Sequence, residues 1–255
     1  MIDMHNHILI KADDGPQNKA EAIQLLSQAK DEGVTGIIAT PHYTSAYNNT
    51  FDKVKLKVKE LCKLKEVKAL GIEIYPGQEV RISDHVLDDL KSGKVRGLNG
   101  SNYLLIEFPP NEVPEYTKQL FKVLLREGYT PIIAHPERNS AIMKDMSLLY
   151  ELVSEGALSQ ITSASLGGYF GKGLQLASIE MIRSNLTHFI ASDAHQYDYR
   201  PFILNGLFEE TGLEPIHPTI KALIENADAI VSNHAINRNT PKLPTYSKEL
   251  KAYLF

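Results

Sequence analysis

Apolar and polar positions alternate along this chain with two different periods. Nearly continuous apolar runs at residues 2–5, 36–40, 72–75, 103–107, 131–135, 160–163 and 188–192 read as strands buried on both faces. Between them the period lengthens to that of a helix. Asn18 and Glu21 have capping-box spacing, and Ala22, Leu25, Leu26 and Ala29 form the stripe that follows. Gly33 stands where such a helix ends in a left-handed residue. Pro114 opens a second helix, with Tyr116, Leu120, Phe121, Leu124 and Leu125 on one side and Gly128 closing it. Over 51–68, the spacing of Phe51, Val54, Val58 and Leu61 predicts one amphipathic helix. Its solvated face is basic, because Lys53, Lys55, Lys57, Lys59, Lys63, Lys65 and Lys68 all fall in it.

Seven strand–helix repeats predict an α/β fold with a parallel sheet jacketed by helices. The repeat length favours a distorted (β/α)7 TIM-like barrel over separate domains. No linker or shift in composition divides the chain, so residues 1–255 read as one domain. Residues 237–255, rich in turn formers at their start, read as a C-terminal tail running over the surface.

Composition narrows the classes. The chain has 255 residues, 43% hydrophobic and 23% charged, enough for one sizeable core. With 27 basic against 31 acidic residues, a net charge of −4 argues against a dedicated nucleic-acid binder. A single cysteine excludes a disulfide scaffold and a thiolate zinc site, and fits a reducing compartment. No apolar run approaches the ~20 residues of a membrane span, and the N-terminus shows no signal-peptide pattern. The expected location is the cytoplasm.

The chemistry sits at the strand ends. His5 and His7 follow the first predicted strand, His42 the second, Glu79 the third, Glu107 the fourth, His135 the fifth, and Asp193 with His195 the seventh. Asp14 lies in the first loop. In a parallel barrel these positions meet on the C-terminal face, where the loops converge. Five imidazoles and four carboxylates are too many for one ion and suit two or three sharing bridging groups. Mixed nitrogen and oxygen donors without sulfur point to manganese, iron or zinc. Three divalent ions against four carboxylates leave a formal +2, which attracts an anionic phosphate. Arg138 and Arg200 fall in the same loops, and guanidinium groups bind phosphate oxygens in pairs. His85, His188, His217 and His234 fall outside the pattern and read as surface or core residues. Cys62 has no arginine six residues later, so it lacks the phosphate loop of a cysteine-dependent phosphatase.

These segments resemble the polymerase and histidinol phosphatase (PHP) superfamily. Within it they are most similar to the manganese-dependent protein-tyrosine phosphatases encoded with bacterial capsule and exopolysaccharide synthesis. The resemblance rests on Asp3-Met-His5-Asn-His7, Asp13-Asp14-Gly15-Pro16, Thr40-Pro41-His42, Gly77-Gln78-Glu79-Val80, His135-Pro-Glu-Arg138-Asn139 and Ser192-Asp193-Ala194-His195. Gln160-Ile161 and Ser165-Leu166-Gly167-Gly168 narrow it to the phosphatase branch. It implies three metal sites: His5, His7, Glu79 and Asp193; Glu79, Glu107 and His135; Asp14, His42 and His195. Asp3 is expected either to orient a ligand histidine or to serve as a structural carboxylate at the strand end. The implied reaction is attack of metal-activated water on phosphorus, with Arg138 and Arg200 stabilising the phosphoryl oxygens. The implied substrate is phosphotyrosine on a bacterial tyrosine autokinase, and the implied ion is Mn2+, with Fe or Zn as alternatives. Histidinol-phosphate phosphatase, a PHP-type phosphodiesterase, and a metal-dependent binding module without activity remain as other functions.

Overall fold

A computed structural model describes residues 1–244; the last part of the expected tail, 245–255, lies outside the described residues. Among the described residues nine short strands run parallel: β1 (Ile2–Asp3), β2 (Gly36–Ala39), β3 (His42–Tyr43), β4 (Glu73–Pro76), β5 (Glu79–Arg81), β6 (Tyr103–Glu107), β7 (Thr130–Ala134), β8 (Leu158–Thr162) and β9 (Phe189–Ala191). They form two sheets, ordered β1-β2-β4 and β3-β5-β6-β7-β8-β9.

The two sheets are one ring of seven runs interrupted twice. β2 and β3 are a single run broken at Thr40-Pro41, and β4 and β5 a single run broken at Gly77-Gln78. Proline has no N–H to give a ladder, so a break at Pro41 is expected. Hydrogen bonds nevertheless cross the gap, from Gly77 N–H to Ala39 at 2.8 Å and from Glu79 N–H to Pro41 at 3.2 Å. A Cβ on Gly77 would come within 2.8 Å of Ile38 and 2.9 Å of Leu98, so any side chain there would have to displace the core beneath the turn. At the far side β9 returns to β1: His7 N–H donates to Ala194 and Asp193 N–H to His5, both at 2.8 Å. The expected distorted barrel is therefore the observed architecture.

Side chains alternate between two separate cores, as strand pleating requires. Met4, Ile38, Tyr103, Leu105, Ile132, Leu158 and Phe189 fill the interior, and Ala227 and Ile230 of the helix Ala227–Val231 close its N-terminal end. Ile37, Leu104, Ile106, Ile133, Ile161 and Ile190 face outward into the helical jacket. Gln160 and Glu107 follow the inward parity of Leu158 and Leu105. They cap the interior stack at its C-terminal end.

The helices match expectation with two differences. Lys19–Asp31 is capped by Asn18, whose side chain accepts Glu21 N–H at 3.1 Å, and its four expected apolar residues are buried. The second helix, Thr117–Arg126, begins three residues after Pro114, which supplies only the preceding turn; Tyr116 is left exposed. The lysine-rich stretch is two helices, Phe51–Leu61 and Lys65–Leu70. Continued past Leu61, one helix would turn Lys65 and Lys68 inward. The break resets the phase, so Val67 is buried and both lysines face water. No described helix is long and apolar enough to cross a membrane.

Candidate metal centre

All nine residues expected to converge do so, in one cluster above the barrel interior. Glu79, at the start of β5, is fully buried at its centre. Its Oε1 lies 3.4 Å from His5 Nε2 and 2.8 Å from His135 Nε2; its Oε2 lies 3.4 Å from His7 Nε2 and 2.8 Å from His42 Nδ1. Asp193 Oδ1 faces His5 and His7 Nε2 at 3.3 and 3.5 Å. Asp14 Oδ1 faces His42 and His195 Nε2 at 3.5 and 3.4 Å. Glu107 Oε2 is 3.8 Å from His42 Nδ1.

Four overlapping groups have donor atoms close enough to share an ion: His7, Asp14, His42 and His195; His5, His7 and Asp193; His5, Glu79 and His135; His42, Glu79 and Glu107. Glu79 belongs to two of them, as a bridging ligand does. The grouping differs in detail from the implied one, since Glu107 sits with His42 and His7 also faces the Asp14 group.

The orientation of the imidazoles is set from behind. Asp13 Oδ2 lies 2.7 Å from His7 Nδ1. A carboxylate only accepts, so Nδ1 carries a proton and Nε2 is the ring nitrogen turned inward. Asp13 is held in turn by His42 N–H at 2.9 Å and Gly15 N–H at 3.1 Å. Gln160 Oε1 takes His5 Nδ1–H at 2.7 Å, and the Asp193 carbonyl takes His195 Nδ1–H at 2.9 Å. Inside the cluster, His5 Nε2, His7 Nε2, His42 Nδ1, Glu79 Oε2, Glu107 Oε2, Asp193 Oδ1 and His195 Nε2 are buried without a hydrogen-bond partner. Seven such atoms aimed at one another are costly unless a cation lies among them. Two ligands at about 2.1 Å from one ion lie roughly 3.0–3.4 Å apart, close to the separations seen here. The donor set suits divalent ions.

The proton affinities carry the same signature. Burial works against a charged His7, yet Asp13 and the neighbouring carboxylates hold its pKa well above the ordinary value. Burial likewise disfavours ionised Glu79 and Asp193, but the surrounding histidines, and Arg200 for Asp193, hold both well below the carboxylate range. The carboxylates thus demand positive charge. His195 is the exception: burial and the nearby His7 bring it down to about 4, a neutral ring with a free lone pair.

Arg138, in the short turn Pro136–Arg138, and Arg200 both donate to Asp193 Oδ2 at 2.5 Å. Their side chains remain 33% and 27% exposed, so the guanidinium groups line the mouth rather than the floor. His135 and Asp193 both adopt left-handed backbone, φ 32° and 52°. Non-glycine residues held there cost on the order of 1–3 kcal/mol each, and such strain concentrates at functional positions.

Asp3 does not orient a histidine. Its carboxylate accepts Ser192 N–H at 2.9 Å, Ser192 Oγ–H at 2.6 Å and Asn6 Nδ2–H at 3.0 Å, which joins β1 to the end of β9; burial pushes its pKa up to about 6. The orienting role falls to Asp13 and Gln160, both present in the sequence motifs but not singled out by spacing. Arg81 was also missed: its Nη2 forms an ion pair with Glu107 Oε2 at 2.8 Å, without hydrogen-bond alignment, while its Nη1 donates to the Phe108 carbonyl at 3.2 Å. Nothing in the local sequence of β5 distinguishes it from a surface arginine.

Residues 1–210 match the family described as capsular polysaccharide synthesis, CpsB/CapC. The chain is 49% identical to CapC of Staphylococcus aureus over 242 residues, covering 94% of this chain and 95% of that one. It is 42% identical to the tyrosine-protein phosphatase YwqE of Bacillus subtilis over 247 residues, covering 95% and 96%. A crystal structure from work on YwqE and on CpsB of Streptococcus pneumoniae, described as metal-dependent tyrosine phosphatases, superposes with a TM-score of 0.90 at 42% identity. That likeness covers 97% of this chain and 100% of the other. With four fifths of the chain matching the family and near-complete coverage of its relatives, the protein belongs to the CpsB/CapC capsular polysaccharide synthesis family.

Proposed function

We propose that this protein is a metal-dependent phosphatase that hydrolyses phosphotyrosine in proteins. Its ligands are His5, His7, Asp14, His42, Glu79, Glu107, His135, Asp193 and His195, and its ion is Mn2+. The observation that carries this reading is the set of seven buried ligand atoms without hydrogen-bond partners, lying beside two arginines at an open mouth. The tyrosine-phosphatase names of the relatives support the substrate. We further propose that the substrate is a tyrosine autokinase of capsule or exopolysaccharide synthesis, met in the cytoplasm. Residues 1–255 are read as one phosphatase domain, which the single ring of strand runs between Ile2 and Ala191 supports.

Bound divalent ions would supply Lewis acidity, lowering the pKa of a coordinated water toward neutrality and offsetting phosphate charge. The chain does the rest. Asp13 and Gln160 fix the rings of His7 and His5, so that no donor atom must reorient during reaction. Arg138 and Arg200 bind equatorial phosphoryl oxygens, whose charge grows as the ester bond breaks. A phenolate leaving group, with a pKa near 10, departs with little help from a general acid, which favours aryl over alkyl phosphates.

The test is turnover with Mn2+ of a phosphotyrosine peptide, a phosphoserine peptide, histidinol phosphate and a short oligonucleotide. We expect the phosphotyrosine peptide to lead by at least about tenfold. Faster hydrolysis of histidinol phosphate or of the oligonucleotide would replace this reading with a histidinol-phosphate phosphatase or a phosphodiesterase.

A further inference from the structure

Arg200 is carried on a tight hairpin that also presents two aromatic rings outside the core. His195 and Gln196 N–H both donate to the Arg200 carbonyl, at 2.8 and 3.3 Å, and Arg200 N–H donates back to Gln196 at 3.2 Å. The base of the hairpin is tied to Asp193 through both His195 and the Arg200 guanidinium. Its tip is Tyr197-Asp198-Tyr199, with Tyr197 44% and Tyr199 80% exposed. Singly exposed rings need no explanation, but these two line one wall of a cleft of about 340 Å³ that also contains Asp14 and His195. The cleft therefore opens directly from the metal centre.

Charge gives the cleft a direction. The Arg200 guanidinium stands behind its inner end, 3.9 Å from Asp14, whereas the exposed Glu21 and Asp198 line its outer part. A phosphomonoester dianion is drawn inward and repelled from the outer cleft, leaving its uncharged ester group to occupy the space beside the tyrosines. A second recess at the centre, between Glu107, Phe108, His135 and Arg138, measures about 90 Å³ and has little room for a ring attached to a peptide.

We propose that Tyr197 and Tyr199 are specificity-determining residues that pack against the phenyl ring of phosphotyrosine in this cleft. The inference rests on the phosphotyrosine reading given above. Ring-on-ring packing is available to an aryl ester and not to an alkyl one. It adds selectivity on the leaving-group side, separate from the arginines that hold the phosphate. Because the rings sit at the tip and Arg200 at the base, replacing them leaves the Arg200–Asp193 contact in place.

The experiment compares Tyr197→Ala/Tyr199→Ala and Tyr197→Phe/Tyr199→Phe with the wild type on a phosphotyrosine peptide, with metal content measured for each. The alanine pair should raise KM about tenfold or more and change kcat less than about threefold. The phenylalanine pair should restore KM, since packing needs the ring and not the hydroxyl. An unchanged KM in the alanine pair overturns the inference, as does a phenylalanine pair no better than alanine. Loss of kcat at constant KM also overturns it, by showing that the tip serves only to position Arg200. A wild type that turns over other phosphoesters but not the phosphotyrosine peptide removes the substrate reading and this inference together. A wild type active on that peptide beside an indifferent alanine pair removes the inference alone.

Discussion

Asp193 joins metal binding and phosphate binding in one carboxylate. Its Oδ1 faces His5 and His7, while its Oδ2 receives Arg138 and Arg200. Removing one arginine should therefore leave the carboxylate in place, because the other still holds it. Arg138→Ala is expected to lower kcat by roughly a hundredfold with metal content nearly intact, since a guanidinium does not coordinate cations. Arg138→Ala/Arg200→Ala should lose metal as well, as Asp193→Ala should; elemental analysis beside initial rates separates these outcomes. A wild-type rate for Arg138→Ala would remove the phosphate role assigned to it. Away from the centre, His188 governs a pH effect on stability. Its ring is buried and accepts Ser159 N–H at 3.2 Å; burial, then Arg238, brings its pKa down to about 4. The unfolded chain takes up that proton near pH 6.5, the folded chain only near pH 4. The stabilisation is thus complete above pH 6.5 and is lost as pH falls through about 4, a change of about 3 kcal/mol. Urea unfolding of wild type and His188→Gln between pH 7 and pH 4 should give a flatter pH dependence for the variant. Parallel curves would show that His188 titrates normally.

At the scale of elements, the first loop is the most constrained part of the site. Gly15 packs so tightly that a Cβ there would stand 2.2 Å from the His7 carbonyl oxygen. That contact fixes the loop from which Asp13 orients His7 and Asp14 enters the centre. Gly15→Ala must push the loop away. It should lower metal content and reduce kcat by about tenfold or more. It should also lower Tm by several degrees, taking roughly 2–4 °C per kcal/mol for a chain of this size. Calorimetry and metal analysis on the same sample check both, and an unaltered variant would show that the loop has slack. The helix Phe51–Leu61 predicts the opposite behaviour. Cys62 at its end is partly buried, and burial raises its thiol pKa, away from the thiolate a nucleophile needs. Cys62→Ser should leave turnover within about twofold of wild type.

At the scale of the whole molecule, the centre links every strand-end loop except that of β8, which contributes Gln160 from behind. Ions bound there favour the folded state alone, because the unfolded chain cannot gather these ligands. At a free-ion concentration a hundred times Kd that preference is worth about 2.7 kcal/mol. Exhaustive chelation should therefore abolish turnover and lower Tm together, and Mn2+ should restore both. Full activity in a preparation shown to be free of metal would exclude the proposed chemistry.

Much of this was legible in the sequence. Apolar period distinguished strands from helices because strand pleat and helical pitch impose different spacings. The same periodicity put His5, His7, His42, Glu79, Glu107, His135, Asp193 and His195 at strand ends, which a parallel barrel gathers on one face. Three things were decided only in three dimensions. Asp13 and Gln160, not Asp3, orient the ring nitrogens, because side-chain direction at the end of a strand depends on turns that spacing does not encode. The lysine-rich stretch divides after Leu61, because the core beneath it, shared with the helix Lys19–Asp31, accepts Val67 and not Lys65. Arg138 and Arg200 share one oxygen of Asp193, because residues far apart in the chain meet only once the ring of strands has closed. Local sequence fixes what a residue can do, whereas its partners are set by packing between segments that sequence distance does not relate.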